Sequence, residues 1–158
     1  MLRPLTPLDA DTLVEAPGPG RERVRARLAR PRTLDVEGVL ELGIEVDGRL
    51  VGDVQARAPR HAFPPGVCEL GITLRPEARG RGIGRLAVAR FTALLFAEHR
   101  MARVQASTGV DNVAMRRVLE ALGWELEGVL RDYFPRDGGG REDAVLYATT
   151  AGAARRPT

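Results

Sequence analysis

Apolar and polar residues along this chain keep two spacings, and each change of spacing marks an element. Thr6-Pro7-Leu8-Asp9 has the form of a helix start, with Thr as N-cap, Pro at the first helical position and an acid at the third. The pattern predicts a short helix to Glu15, broken by Pro17-Gly18-Pro19-Gly20. Residues 21–30 form a second helical piece with Val24 and Leu28 on one stripe. The period then falls to two. Leu40, Leu42, Ile44 and Val46 alternate with Glu41, Gly43 and Glu45, and Asp47-Gly48 is a favoured hairpin turn. The return strand runs from Leu50 to Ala58. After a proline-rich loop from Pro59 to Gly66, a third strand sets Cys68, Leu70, Ile72 and Leu74 on one face and Glu69, Gly71 and Thr73 on the other.

The helical period returns at residues 83–98, with apolar side chains at 83, 86, 87, 91, 94 and 95. Ala102 to Ser107 reads as a strand. Asp111 or Asn112 can cap the next helix, which turns Ala114, Met115, Val118, Leu119 and Leu122 inward and ends at Gly123. Trp124 to Arg131 and Asp143 to Thr150 are two last strands joined by a turn at Asp137-Gly138-Gly139-Gly140. The tail from Ala151 to Thr158 offers little to bury, and disorder is expected there. With residues 1–5 as a strand, the order is β-α-α-β-β-β-α-β-α-β-β. That order describes one α+β domain over residues 1–150, built on a mixed, mostly antiparallel sheet.

Composition narrows the picture. At 158 residues, 44% apolar and 28% charged, the chain can bury one core as an ordinary soluble domain. Apolar runs are a few residues long, far short of the roughly 20 that cross a bilayer, and no leader pattern precedes the first helix. The lone Cys68 makes no internal disulfide, which fits a cytoplasmic setting. The net charge of +3 is carried by 24 arginines and no lysine. The arginines from Arg21 to Arg32 read as a solvated helix face. Ser107 and Asn112 are the only residues of their kinds, and Ser107 lies in no G-x-S-x-G turn, so serine-nucleophile chemistry is disfavoured.

The candidate chemistry lies in Arg75-Pro76-Glu77-Ala78-Arg79-Gly80-Arg81-Gly82-Ile83-Gly84-Arg85, between a strand and a helix. Glycines allow a tight turn and close approach, and a helix start aims free N–H groups and partial positive charge at whatever the turn holds. Phosphate is the expected guest. A P-loop requires a lysine that the chain lacks. Gly82-Ile83-Gly84-Arg85-Leu86-Ala87 matches G-x-G-x-x-A, but the dinucleotide motif belongs to a first βα turn, whereas three antiparallel strands come first here. One Arg-Gly-Arg-Gly unit among few aromatics does not make a nucleic-acid-binding segment.

Arg79-x-x-Gly82-x-Gly84 in this setting resembles the R/Q-x-x-G-x-G/A signature of the GNAT N-acetyltransferase superfamily, and the likeness extends over residues 3–150. Ala121-Leu122-Gly123-Trp124 is similar to the family's L-G-F helix end. Gly128 to Phe134, followed by Arg141-Glu142-Asp143 and Val145-Leu146-Tyr147, resembles the Rim-type branch, which includes acetylators of ribosomal-protein amino termini. The resemblance implies a three-layer α/β/α fold of about seven strands and four helices. It implies acetyl-CoA as cosubstrate, with the pyrophosphate on Arg79, Gly80, Arg81, Gly82, Ile83, Gly84 and Arg85. The pantetheine would lie along the backbone of Ile72, Thr73 and Leu74 and beside Asn112. The partner would be an amine, from a protein N-terminus or a small molecule, with no membrane or nucleic acid involved; a homodimer is compatible with this. A non-catalytic acyl-CoA-binding module is the alternative reading.

Acetyl transfer from a thioester needs a free amine, stabilisation of the carbonyl oxygen and a proton for the thiolate, and requires neither metal nor covalent nucleophile. A lysine amine with a pKa of ~10.4 must be held about three units down to react at neutral pH, whereas an α-amine at ~7.7–8.0 needs about one. A carboxylate acting through water suffices for the second. Glu69, on the polar face of the strand that leads into the loop, is the candidate base. The chain has Leu119 where some relatives carry a catalytic tyrosine and Met115 where Rim-type relatives often carry a serine. Tyr133 is therefore the candidate acid, with water as the other proton source. Cys68 on its apolar face is expected to be buried and inert, and His61 and His99, without ligand spacing, to be surface residues.

Overall fold

A computed structural model describes residues 1–14, 19–29, 34, 38–58, 63–136 and 138–153. Pro17 and Gly18 of the expected breaker, Arg30, Arg32, His61, Asp137 and the tail beyond Ala153 lie outside the described residues. Pro19 and Gly20, expected to break the helix, instead open the second one, as a proline in the first turn can. Among those described there are seven strands and four α-helices in the expected order. They are β1 (Leu2–Pro4), α1 (Ala10–Leu13), α2 (Pro19–Leu28), β2 (Val39–Val46), β3 (Arg49–Arg57), β4 (Val67–Leu74), α3 (Ile83–Ala97), β5 (Arg103–Gly109), α4 (Val113–Ala121), β6 (Glu125–Pro135) and β7 (Arg141–Thr150). None of the helices is long and apolar enough to cross a membrane.

The strands form one sheet in the order β1-β2-β3-β4-β5-β7-β6. Every neighbouring pair is antiparallel except β4 and β5, which α3 joins by a crossover. Asp47 and Gly48 both take positive φ, 50° and 74°, the type I′ geometry expected of the β2–β3 hairpin. The parallel pair is short. It joins Val67–Glu69 to Arg103–Gln105 and then opens, although β4 continues to Leu74 and β5 to Gly109. This fork at the centre of the sheet positions everything below.

Each face of the sheet takes its own layer. Cys68, Leu70, Val54, Ala56, Val104 and Ala106 point to one side and pack with Phe91 and Leu95 of α3 and Leu119 of α4 in one core. Glu41, Asp53, Gln55, Glu69 and Ser107 fall on the other side. There Arg27 of α2 bonds Glu41 at 2.8 Å, and Arg75 reaches the Thr12 carbonyl of α1 at 3.1 Å. The first segment differs from its expected helix. It is a 3₁₀ turn over Pro7–Asp9 followed by α1, which ends at Leu13. Asp9 binds the Thr6 amide and is also gripped by Arg3, which holds its carboxyl down to about 2 and ties this turn to β1.

Three further expectations shift. In α3, Leu86 is half-exposed while Val88 is fully buried, because the sheet meets the stripe Ala87, Val88, Phe91, Thr92 and Leu95. β6 runs on to Pro135. The arginines of α2 are partly tied down, since Arg21 and Arg25 pair with Asp11 and Arg27 with Glu41.

Asp53 supplies a stability prediction. Burial, and then repulsion from Glu41, push its carboxyl up to about 6 from 3.8, against the attraction of Arg27. The native state therefore keeps this proton at pH values where the unfolded chain has released it, and rising pH between those values removes stability. Asp53→Asn should raise Tm at pH 7.5 by about 2–5 °C and flatten that dependence. Melting curves at pH 4.5 and 7.5 check it; an equal or lower Tm for the variant at pH 7.5 contradicts it.

Candidate functional site

The loop after β4 is shaped by its glycines. A 3₁₀ turn over Pro76–Ala78 leads to Arg79, whose Nε donates to the Leu74 carbonyl at 3.0 Å and folds the loop back on the strand end. Gly80 and Gly82 follow with φ of 70° and 76°, and Gly82 caps α3. Nothing stands within 4 Å of a Cβ at either, so glycine is required there for backbone conformation and not for space. The amides of Ile83, Gly84 and Arg85 precede the first helical bond, from Leu86 to the Gly82 carbonyl at 3.2 Å, and so lack intrahelical carbonyls. A helix of 15 residues adds its positive end.

In front of this terminus lies a slot of about 370 Å³. Ile72 and Leu74 of β4 form one wall. Arg79, Gly80, Gly82, Gly84 and Arg85 close the loop end. Asn112, Ala114, Met115 and Val118 bring the start of α4 to the opposite wall. Asn112 caps α4, its Oδ1 accepting the Met115 amide at 3.2 Å, so its NH₂ side is what remains for a ligand. The Arg75 amide bonds the Val51 carbonyl at 2.9 Å, which by strand alternation spends the backbone of Thr73 on β3 and turns that of Ile72 toward the fork.

Eight of the eleven residues expected around a cofactor thus border one cavity. The other three do not line it. The Thr73 side chain is exposed on the opposite face, Arg81 extends into solvent from the loop, and Ile83 packs against the core. Ala114, Met115 and Val118 were expected to be core residues; their lining role follows from where α4 starts relative to the fork.

On the other face, Glu69 is the last β4 residue paired with β5 and sits half-buried at the base of the fork. Ser107 Oγ, from β5, donates to Glu69 Oε1 at 2.9 Å across the opening. Sequence reasoning missed Ser107. The signal was there in the only serine of the chain, on the same strand face as Gln105, the partner of Glu69.

A family profile described as an acetyltransferase (GNAT) domain matches residues 1–125. The chain belongs to the GNAT acetyltransferase family. It is 28% identical over 129 residues to the L-amino acid N-acetyltransferase AaaT of Escherichia coli (strain K12), covering 79% of this chain and 74% of that one. A solved probable acetyltransferase superposes with a TM-score of 0.79 at 25% identity, covering 96% of this chain and 92% of that chain. RimJ from Mycobacterium smegmatis, solved with CoA-disulfide, shares the fold with a TM-score of 0.77 at 23% identity, over 98% of this chain and 83% of its own.

As a GNAT acetyltransferase, the chain has few side chains in reach of the chemistry. Leu119 is fully buried, so the helix position that carries tyrosine in some relatives faces the core here. Tyr147 is also buried and donates to Glu120 Oε1 at 2.6 Å. Tyr133 lies half-exposed on the edge strand β6, its ring edge-on to Phe134 at 4.9 Å, and does not line the slot. Cys68 has no exposed surface, and burial pushes its thiol up to about 12, which leaves it inert as a nucleophile. Among the described residues no group of His, Cys, Asp and Glu is arranged to hold a metal ion.

Proposed function

We propose that this GNAT enzyme transfers the acetyl group of acetyl-CoA to a primary amine by direct attack in a ternary complex. The fork carries the reading. The phosphate-shaped loop and slot lie on one face of the sheet and the Glu69–Ser107 pair on the other, and β4 and β5 part just where the two would meet. The loop amides and the end of α3 would hold the pyrophosphate, with Arg79 and Arg85 adding charge, as an anion at a helix start requires. The pantetheine would run between Ile72 and the α4 start and bring the thioester into the gap.

The amine would arrive from the Glu69 face. Its nitrogen bonds to the acetyl carbon, the carbon–sulfur bond breaks, and the amine proton passes through water to the carboxylate. The thiolate takes a proton from water, since Tyr133 stands outside the slot, and the amide and CoA leave. An α-amine suits this modest base. Freeing it at neutral pH requires about 1.4 kcal/mol against about 4–5 for a lysine amine, and the curated relative is itself named for L-amino acids.

Thermal shift separates the cofactors: acetyl-CoA and CoA should raise Tm, and NAD should not. No shift with either CoA species at millimolar concentration sinks the reading. CoA release over free L-amino acids, peptides with free N-termini, lysine peptides and spermidine then identifies the acceptor. Gly82→Ala tests the loop. Alanine at φ 76° is strained by about 1–2 kcal/mol, and the relaxed loop re-aims its amides. KM for acetyl-CoA should rise about tenfold with little change in kcat; an unchanged KM would show that this turn does not carry the phosphate.

A further inference from the structure

We infer that Ser107 is a positioning residue for the acetyl transfer, holding the Glu69 carboxylate across the fork with one oxygen left free. The inference rests on Glu69 acting as the base. Backbone pairing between β4 and β5 ends at Glu69 and Gln105. The next residue on that face of β5 is Ser107, and its hydroxyl donates to Glu69 Oε1 at 2.9 Å, a side-chain rung where the backbone rungs stop. Among the described residues no other side chain bonds this carboxylate, and none of them reaches its Oε2.

A glutamate on a strand has three freely turning bonds, and Glu69 stands at the last paired rung before β4 and β5 part. Arg57, its register partner on β3, is exposed and does not bond it. The Ser107 hydroxyl removes that freedom. A hydrogen bond to an ionised acceptor is strong and directional, so it fixes the plane of the carboxylate and aims Oε2 into the space where amine and water would sit. Ser107 touches neither amine nor thioester. It acts through Glu69.

The experiment is a double-mutant cycle read with acetyl-CoA and the best acceptor of the amine panel. Ser107→Ala should lower kcat roughly tenfold, the usual scale for one lost bond to a charged group, while KM for acetyl-CoA stays within about twofold, because the slot lies on the other face. Ser107→Thr, which keeps the hydroxyl and suits a strand, should recover most of the rate. In a Glu69→Gln background, Ser107→Ala should change kcat less than about twofold, because the base it would position is already gone. Melting curves of all variants confirm that they are folded. An equal loss from Ser107→Ala in both backgrounds, an unaltered kcat, or no recovery with threonine overturns the role of Ser107 while leaving Glu69 as the base. Full activity of Glu69→Gln alone overturns the base assignment, and the role of Ser107 falls with it. Absence of CoA release with every amine in the panel overturns the proposed function itself.

Discussion

Replacing Glu69 by glutamine should lower kcat at pH 7 by a factor of about 10²–10³, within the range that a general base contributes, and leave CoA affinity as it was. Glutamine keeps the shape of the side chain and an oxygen for the Ser107 hydroxyl, so the fork need not move. It cannot take a proton. The slot is built from Ile72, Leu74, the glycine loop and the start of α4, and Glu69 does not line it. The deficit should depend on the acceptor. An α-amine with a pKa of ~7.7–8.0 deprotonates unaided as pH rises, so the variant should gain about tenfold between pH 7 and 9 and its deficit should narrow by that factor, whereas a lysine amine at ~10.4 should remain a poor acceptor there. Steady-state rates from pH 6.5 to 9 and calorimetric titration of CoA measure both parts. Wild-type turnover at pH 7 together with normal CoA binding would remove Glu69 as the base.

What the sequence made legible was local. The Asp47-Gly48 turn, Asn112 as cap, Gly123 as helix end and the glycine loop all rest on interactions within a few residues, and the structure has each of them. The element order followed from the same short-range periods. What depends on two distant segments was not legible. The Ser107–Glu69 bond spans 38 residues and a parallel register set by the α3 crossover, which no local pattern encodes. The exposure of Leu86 and burial of Val88 depend on the angle at which α3 meets the sheet. Asp53 gave no sign that α2 would come to rest over its face. The same reason covers Met115 and Val118, whose apolar spacing is that of any buried stripe but whose position at the fork makes them a cavity wall. Local chemistry thus made the glycine loop readable, and tertiary register decides how Glu69 is held.

The largest stability loss is expected from Gly52→Ala. A Cβ at Gly52 would lie 2.1 Å from the carbonyl oxygen of Thr73 and 3.1 Å from Leu74 Cα, both backbone atoms that cannot swing aside. Gly52 pairs with Leu74 at the end of β4 and faces the irregularity of β2 at Ile44 and Glu45, so the strand is confined from both sides. Relief requires β3 and β4 to separate at the residues that feed the glycine loop. The expected penalty is about 2–4 kcal/mol, a drop in Tm of roughly 5–15 °C for a domain of this size. KM for acetyl-CoA should rise as well, because Leu74 both walls the slot and carries the carbonyl that anchors Arg79. Gly43→Ala is the control. There the added carbon meets only the ends of the Leu5 and Leu50 side chains, at 2.8 and 2.6 Å, which can rotate away, so its Tm should fall much less and its KM should not change. Equal melting temperatures for the two variants would mean that β3 yields at Gly52 as easily as a leucine side chain does, and that the geometry of the loop does not depend on the close approach of these two strands.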